Sequence, residues 1–300
     1  MKILNFGSIN VDIVLSVPHM VRPGETISAA GLNGFPGGKG ANQSVALARA
    51  GATVLHAGQV GKDTLWMRDT LTEAGVDTRH VLVSDTVPGG QAFIQVEAGA
   101  GAQNAIIVYG GANQAIPEAL IATALADMER GDWLLLQNEI NLTPQLLAAG
   151  HERGLSIALN PSPFTEAIAR DWPLELVNLF IVNEIEGAEL AGLPHDATPS
   201  DILSRLSDAY PQATICLTLG ERGSCYHDRR AGTLRQDAFP TTPVDTTAAG
   251  DTFTGFLLAE LMRGHTPQQA LRTASQAAAI AVSHAGAIAS IPTLSQLAQA

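Results

Sequence analysis

The sequence predicts an α/β fold, a mostly parallel sheet with helices on both faces, and beside it a small second β-sheet. Two observations carry the first part. Short apolar runs at Trp133–Leu136, Ser156–Leu159, Leu179–Val182 and Thr214–Thr218 read as strands. They alternate with helical patterns near Pro117–Met128, Thr143–Glu152, Pro199–Ala209 and Thr266–Ala281. A third observation carries the second sheet: residues 13–35 and 91–108 alternate around turn residues instead of feeding helices.

Taken in order, Lys2–Gly7 is a buried strand. Polar residues and glycine interrupt it too early for the apolar core of a signal peptide. Ile13–Val17 alternates weakly as a strand, Pro18–Gly24 breaks it, and Glu25–Ala30 returns as a second one. Asn10 and Asp12 are two apart and point the same way if extended. Such a pair suits neighbouring hydroxyls of a sugar, and equally suits an ordinary turn.

Phe35–Gln43 reads Phe-Pro-Gly-Gly-Lys-Gly-Ala-Asn-Gln and runs into a helical Ser44–Ala50. Its glycines allow close backbone approach, whether to a ligand or within a scaffold. Lys39 is not the lysine of a Walker A loop, because Gly40 follows it where Ser or Thr is required. Dinucleotide fingerprints, His-Glu-x-x-His and nucleophile elbows are also absent from the sequence. Thr53–Gly58 is a strand, Thr64–Ala74 a helix and His80–Val83 a short strand. Gln91–Glu97 and Ala105–Val108 form a hairpin around Ala98–Gln103.

In a parallel sheet ligands gather at the carboxyl ends of the strands. Glu139, Asn160 and Asn183 each follow a predicted strand. Asn183 and Glu186, three apart at a helix start, share a face. There they form a plain surface pair or order the waters of a Mg²⁺ ion. Thr218-Leu219-Gly220-Glu221-Arg222-Gly223 follows a strand as a tight turn, and Cys216 reads as a small core residue.

Val244–Gly255 reads Val-Asp-Thr-Thr-Ala-Ala-Gly-Asp-Thr-Phe-Thr-Gly and carries the most chemistry. Phe253, Phe256, Leu257, Leu261 and Met262 recur at helical spacing, so a helix begins near Gly250. The first N–H groups of a helix have no internal partner and lie at its positive end. Ala248, Ala249 and Gly250 leave them open to an anion. Asp251 sits in the first turn, as a dipole complement or as a base that takes a hydroxyl proton during phosphoryl transfer.

Composition bounds the partners. The 300 residues suffice for one substantial core. A net charge of −12 argues against a nucleic-acid surface, and no run is apolar for long enough to span a bilayer. Two cysteines, Cys216 and Cys225, make neither a disulfide framework nor a four-cysteine zinc site, and point to a reducing cytoplasm.

Two runs, Asp-Thr-Thr-Ala-Ala-Gly-Asp-Thr-Phe and Gly-Gly-Lys-Gly-Ala-Asn, resemble the signatures of the ribokinase-like (PfkB) family of sugar and nucleoside kinases, and the resemblance extends over residues 3–293. It implies a three-layer α/β/α sandwich with a β-sheet lid: core 1–12, 36–90 and 109–300, lid 13–35 and 91–108. It implies that Asp251 is the base and that Ala248, Ala249 and Gly250 form the anion hole. Asn10, Asp12, Gly38, Lys39, Gly40, Asn42, Glu139 and Asp251 itself would bind the sugar. Asn183, Glu186, Thr218, Gly220, Gly223, Gly250 and Ser275 would lie along ATP, with Glu186 reaching Mg²⁺ through water. Asp245, Thr247, Ala281, His284, Gly286 and Ser290 would surround a monovalent cation, typically K⁺. His284 stands where family members often carry another residue, which does not matter if it offers only its carbonyl.

The implied activity is ATP-dependent phosphorylation of a primary hydroxyl, O5 if the sugar is ribose. Other acceptors in the same class are deoxyribose, a ketohexose or a nucleoside, with Phe35 and Phe93 as the aromatics near the pocket. A reading of another class is a sugar- or nucleotide-binding regulator without turnover. Family members often share the lid between two subunits, so a homodimer is expected.

Overall fold

The computed structural model describes residues 1–97 and 104–298. The chain runs β1 (Ile3–Phe6), β2 (Asn10–Val17), β3 (Gly31–Gly37), α1 (Lys39–Arg49), β4 (Val54–Gly61), α2 (Trp66–Glu73) and β5 (Asp77–Ser84). Next come β6 (Gly90–Glu97), β7 (Asn104–Tyr109), α3 (Ala119–Ala126), β8 (Trp133–Gln137), α4 (Thr143–Arg153), β9 (Ser156–Asn160) and α5 (Glu166–Asp171). It closes with β10 (Leu179–Asn183), α6 (Glu184–Ala191), α7 (Pro199–Ala209), β11 (Thr214–Thr218), β12 (Ser224–Asp228) and β13 (Gly232–Gln236). Helices α8 (Ala249–Met262), α9 (Pro267–Val282) and α10 (Leu294–Leu297) complete it.

Nine strands form one sheet in the order β13-β12-β11-β10-β9-β8-β1-β4-β5. From β11 to β5 all pairs are parallel, whereas the β11–β12 and β12–β13 pairs at the other edge are antiparallel. Side chains on a strand alternate between faces, so a sheet covered on both sides needs apolar residues throughout. In β10, Phe180 and Val182 enter the core under α3, α4, α6 and α7, whereas Leu179 and Ile181 enter the one under α1, α2, α8 and α9. The expected three layers follow from that division. Among the described residues no helix is long and apolar enough to cross a membrane.

The second sheet has the order β3-β2-β6-β7. The hairpin of β6 and β7 is antiparallel, and its turn at Ala98–Gln103 lies outside the described residues. The strand expected over Glu25–Ala30 is instead β3, paired with β2 from Ser16↔Gly31 to Asn10↔Gly37. Gly31, Gly34, Pro36 and Gly37 hid it, since glycine and proline are poor strand formers. They are tolerated at a sheet edge. Gly37 is required there: a Cβ would lie 2.2 Å from the Asp12 carboxylate.

Helices α1 and α8 cross closely. A Cβ on Gly255 would lie 2.4 Å from Cβ of Ala46 and 2.8 Å from the Leu47 nitrogen. That approach brings the first turns of the two helices together at the carboxyl end of the sheet.

Candidate active site

The strand order reverses direction at β1, with β4 on one side and β8 on the other, and the crevice beyond such a point is where open α/β sheets bind ligands. Ser8 follows β1, Glu139 follows β8, and α1 and α8 both begin there.

Helix α1 starts after Gly38, whose φ of 91° is a conformation open to glycine and whose Cβ would meet the Asn10 nitrogen at 2.8 Å. The side chains and carbonyl that meet its N–H groups come from its own chain. Lys39 N–H donates to Glu139 Oε2 at 3.1 Å, Gly40 N–H to Ser8 Oγ at 3.2 Å and Ala41 N–H to the Ser8 carbonyl at 2.8 Å. Ser8 Oγ in turn donates to Glu139 Oε2. Gly40 has no room for a side chain, since a Cβ would lie 2.4 Å from the Ser8 nitrogen.

Helix α8 starts differently. Ala248 has φ 60°, the one positive φ among the described non-glycine residues. For alanine this costs about 1–2 kcal/mol, and such strain gathers at functional sites. No side chain caps the helix. Ala249 N–H points at the Thr246 carbonyl at 3.3 Å, which leaves it less open to an anion than its neighbours. The N–H groups of Ala248, Gly250 and Asp251 have no acceptor among the described residues. Gly250 is exposed, and a Cβ there would meet nothing within 4 Å.

Asp251 is 8% exposed, held by two amides from α1. Asn42 Nδ2 donates to Oδ2 at 2.9 Å and Gln43 Nε2 to Oδ1 at 2.8 Å. Gln43 also donates to Asn160 Oδ1 at 3.1 Å and accepts from Gln137 Nε2 at 2.7 Å. Asn42 Oδ1 and Gln137 Oε1 are buried without a partner, each costing about 1–3 kcal/mol if left so.

Three carboxylates and one ammonium share the crevice. Burial, then Glu139 and Asp251, push the Asp12 carboxyl up to about 6, against the pull of Lys39. Burial likewise raises Glu139, against the pull of Lys39. Burial alone would lower the Lys39 ammonium, but Asp251, Glu139, Glu186 and Asp12 together raise it. The crevice thus offers several carboxylate acceptors beside one buried cation. Asn10, 5% exposed, accepts from Asn113 Nδ2 at 2.7 Å. Register pairs Asp12 with Phe35 and Ala92, on one face of the second sheet. Phe93 pairs with Ile13 and therefore lies on the other face, which removes it from the expected pocket.

Other expected residues are dispersed. Asn183 and Glu186 form a reciprocal cap on α6: Asn183 Oδ1 accepts from Glu186 N–H at 2.8 Å and Glu186 Oε2 from Asn183 N–H at 3.2 Å. Thr218 ends β11. Gly220 has φ 57° and open space around it, whereas Gly223 packs on the β13 end, where a Cβ would lie 2.0 Å from the Gln236 carbonyl. Ser275 is buried in α9.

Around the expected cation loop, Asp245 Oδ1 accepts from Thr247 N–H and Oγ1 at 2.9 and 2.6 Å. Oδ2 accepts from Gly286 N–H at 2.9 Å. Burial raises the Asp245 carboxyl, but these donors more than offset it and leave it below the usual range. Ala281 C=O accepts from His284 N–H at 3.1 Å, the His284 ring binds the Ile280 carbonyl, and Ser290 Oγ donates to the Ala287 carbonyl.

Ser8, Gln43, Asn113 and Gln137 were not singled out by the sequence reading. Ser8 and Gln137 lie at strand carboxyl ends, a signal that could have found them.

The chain is 35% identical over 293 residues to the ribokinase of Haemophilus influenzae (strain ATCC 51907 / DSM 11121 / KW20 / Rd), covering 96% of this chain and 94% of that one. Its fold matches the ribokinase of Cryptococcus neoformans var. grubii serotype A solved with ADP, at TM-score 0.86, 35% identity and 99% coverage of both chains. It also matches the Arabidopsis thaliana ribokinase complexed with ribose and ATP, at TM-score 0.86 and 28% identity, over 99% of this chain and 97% of the other. Residues 1–294 match the pfkB family carbohydrate kinase, and the chain belongs to that family.

Proposed function

We propose that this protein transfers the γ-phosphate of ATP to the primary hydroxyl of D-ribose, giving D-ribose 5-phosphate. The observation that carries the reading is Asp251, clamped by Asn42 and Gln43 at the foot of a helix whose N–H groups are open. In this reading Asp251 accepts the hydroxyl proton as the oxygen attacks phosphorus and ADP leaves. The free N–H groups of Ala248, Gly250 and Asp251 meet the charge spread over the transferring group. Asn10, Asp12, Gly38, Lys39, Gly40, Asn42 and Glu139 line the sugar side. Asp12 and Glu139 keep acceptor oxygens free for sugar hydroxyls, and Lys39 offsets part of the phosphate charge.

On the nucleotide side the reading takes Asn183, Glu186, Thr218, Gly220, Gly223, Gly250 and Ser275, of which Gly220 has open space around it. Glu186 fits Mg²⁺ held through water, because its Oε1 makes no hydrogen bond among the described residues. Mg²⁺ there would neutralise charge on the phosphates. The oxygen-rich donor set of Asp245, Thr247, Ala281, His284, Gly286 and Ser290 fits K⁺, with Asp245 ionised between the two loops. K⁺ there would add positive charge behind the α8 turn.

The second sheet is proposed as a lid over the sugar, excluding water as a competing acceptor. Its face opposite Asp12 carries Leu32, Phe93 and Ile107, exposed by 68%, 37% and 67%, which supports pairing with a second copy. Free, buried Cys216 and Cys225 support a cytoplasmic location. A nucleoside is less favoured, since Phe35 lacks Phe93 as a partner for stacking on a base. The test is ADP release from Mg·ATP with pentoses, hexoses and nucleosides, each with K⁺ or a large organic cation. Turnover confined to ribose and dependent on K⁺ is expected. Faster turnover on another acceptor would reassign the substrate, and nucleotide binding without turnover on any acceptor would favour a regulator.

A further inference from the structure

Behind Asp251 runs a chain of buried amides that leads away from the crevice into the sheet. Gln43 Nε2 carries two hydrogens; one goes to Asp251 Oδ1 and the other to Asn160 Oδ1. Its Oε1 accepts from Gln137 Nε2, which also donates to Asn5 Oδ1 at 2.9 Å. Asn5 Nδ2 donates to the Gly40 carbonyl and to Ser44 Oγ, both at 2.8 Å. Ser44 Oγ meets His56 Nδ1 at 2.8 Å, and His56 Nε2 meets the Gly7 carbonyl at 3.2 Å. Asn5, Gln43, Ser44, His56 and Gln137 are all at most 1% exposed.

The chain has only one consistent direction. An ionised carboxylate only accepts, so Gln43 must turn its NH₂ to Asp251 and its carbonyl to Gln137. Gln137 must then donate in both directions. Flipped, its carbonyl oxygen would face those of Gln43 and Asn5. That requirement accounts for the partnerless Gln137 Oε1, packed where a Cβ on Gly7 would lie 2.3 Å away. Ser44, receiving from Asn5, gives its own proton to His56 Nδ1, and His56 Nε2–H donates to Gly7. Burial pushes the His56 imidazole down to about 4, so it stays neutral and keeps that tautomer.

We propose that Gln43, oriented by Gln137, is a positioning residue for the base: it fixes the Asp251 carboxylate so that one oxygen faces the substrate hydroxyl. A protein needing only a filled core would place apolar residues here, at no cost in unpaired polar atoms. The proposal rests on the reading of Asp251 as base.

The test uses the whole protein. Gln43→Met keeps the length and removes the amide; kcat is expected to fall about 10²-fold, the scale of an ångström misplacement, with the ribose Kd by calorimetry unchanged. Gln43→Glu places a second carboxyl against Asp251, and the acid limb of the kcat–pH profile is expected to move up by about one unit or more. Wild-type kcat in Gln43→Met overturns the proposal. So does an unmoved acid limb in Gln43→Glu, which decides alone if Gln43→Met does not fold. Both variants are read against the unaltered protein: if that shows no sugar-dependent turnover, the reading of Asp251 fails and the proposal with it. Turnover by the unaltered protein with indifferent variants removes only the role of Gln43.

Discussion

Helices α1 and α8 begin side by side at the same end of the sheet, both after glycine- and alanine-rich turns, and their first turns differ. At α1 the N–H groups of Lys39, Gly40 and Ala41 meet Glu139 Oε2, Ser8 Oγ and the Ser8 carbonyl. At α8, among the described residues, no side chain serves as cap, and the N–H groups of Ala248, Gly250 and Asp251 are left over. A helix start satisfied from within its own fold has its N–H groups closed to an anion, whatever its glycines suggest. One left open, with strain at Ala248 and a clamped carboxylate beside it, is prepared for an anion. In the proposed function the first shapes the sugar side and the second faces the phosphate.

The contrast can be broken at several points. Asp251→Asn has the largest expected effect: kcat falls about 10²–10⁴-fold, the usual weight of a general base, while calorimetry finds ribose bound as before. Acid pH comes next. The Asp12 carboxyl, raised to about 6, is ionised above that pH and protonated below it. The ribose KM should therefore rise about tenfold per pH unit below 6, where the neutral acid accepts hydroxyl protons less well. Stability runs the other way: the folded value exceeds the unfolded one, so Asp12 binds more protons when folded and the protein loses stability as pH rises from about 4 to 6. Asp12→Asn should remove both dependences in kinetics and in thermal melts. Smallest is Ser8→Ala, at the closed end: about 1–2 kcal/mol of stability, as for loss of a helix cap, with kcat near wild type.

The sequence exposed the α/β layers because both-face burial makes the strands apolar throughout, as in Leu179–Val182. It hid β3, whose glycines and proline read as a break, although Gly37 is there to make room for Asp12. Asp251 was legible because a local run carries it. The partnership of Asp251 with Gln43 was not, because it spans 208 positions and depends on the close α1–α8 crossing at Gly255. Nor does sequence mark Ala248 as left-handed, since alanine rarely is. Phe93, expected near the pocket, lies on the face opposite Asp12; strand parity needs the register, which composition does not supply.

The most direct measurement is Gly250→Ala, followed by kinetics and thermal melting together. A Cβ there meets no protein atom within 4 Å, so the helix should gain about 0.5–1 kcal/mol over glycine. The same methyl would stand in the path of the transferring phosphoryl group. The account predicts a higher Tm together with a kcat lower by about 10²-fold, the scale for displacing a reacting group by an ångström. A higher Tm with undiminished kcat would contradict it, and would mean that the phosphoryl group passes elsewhere than the open end of α8.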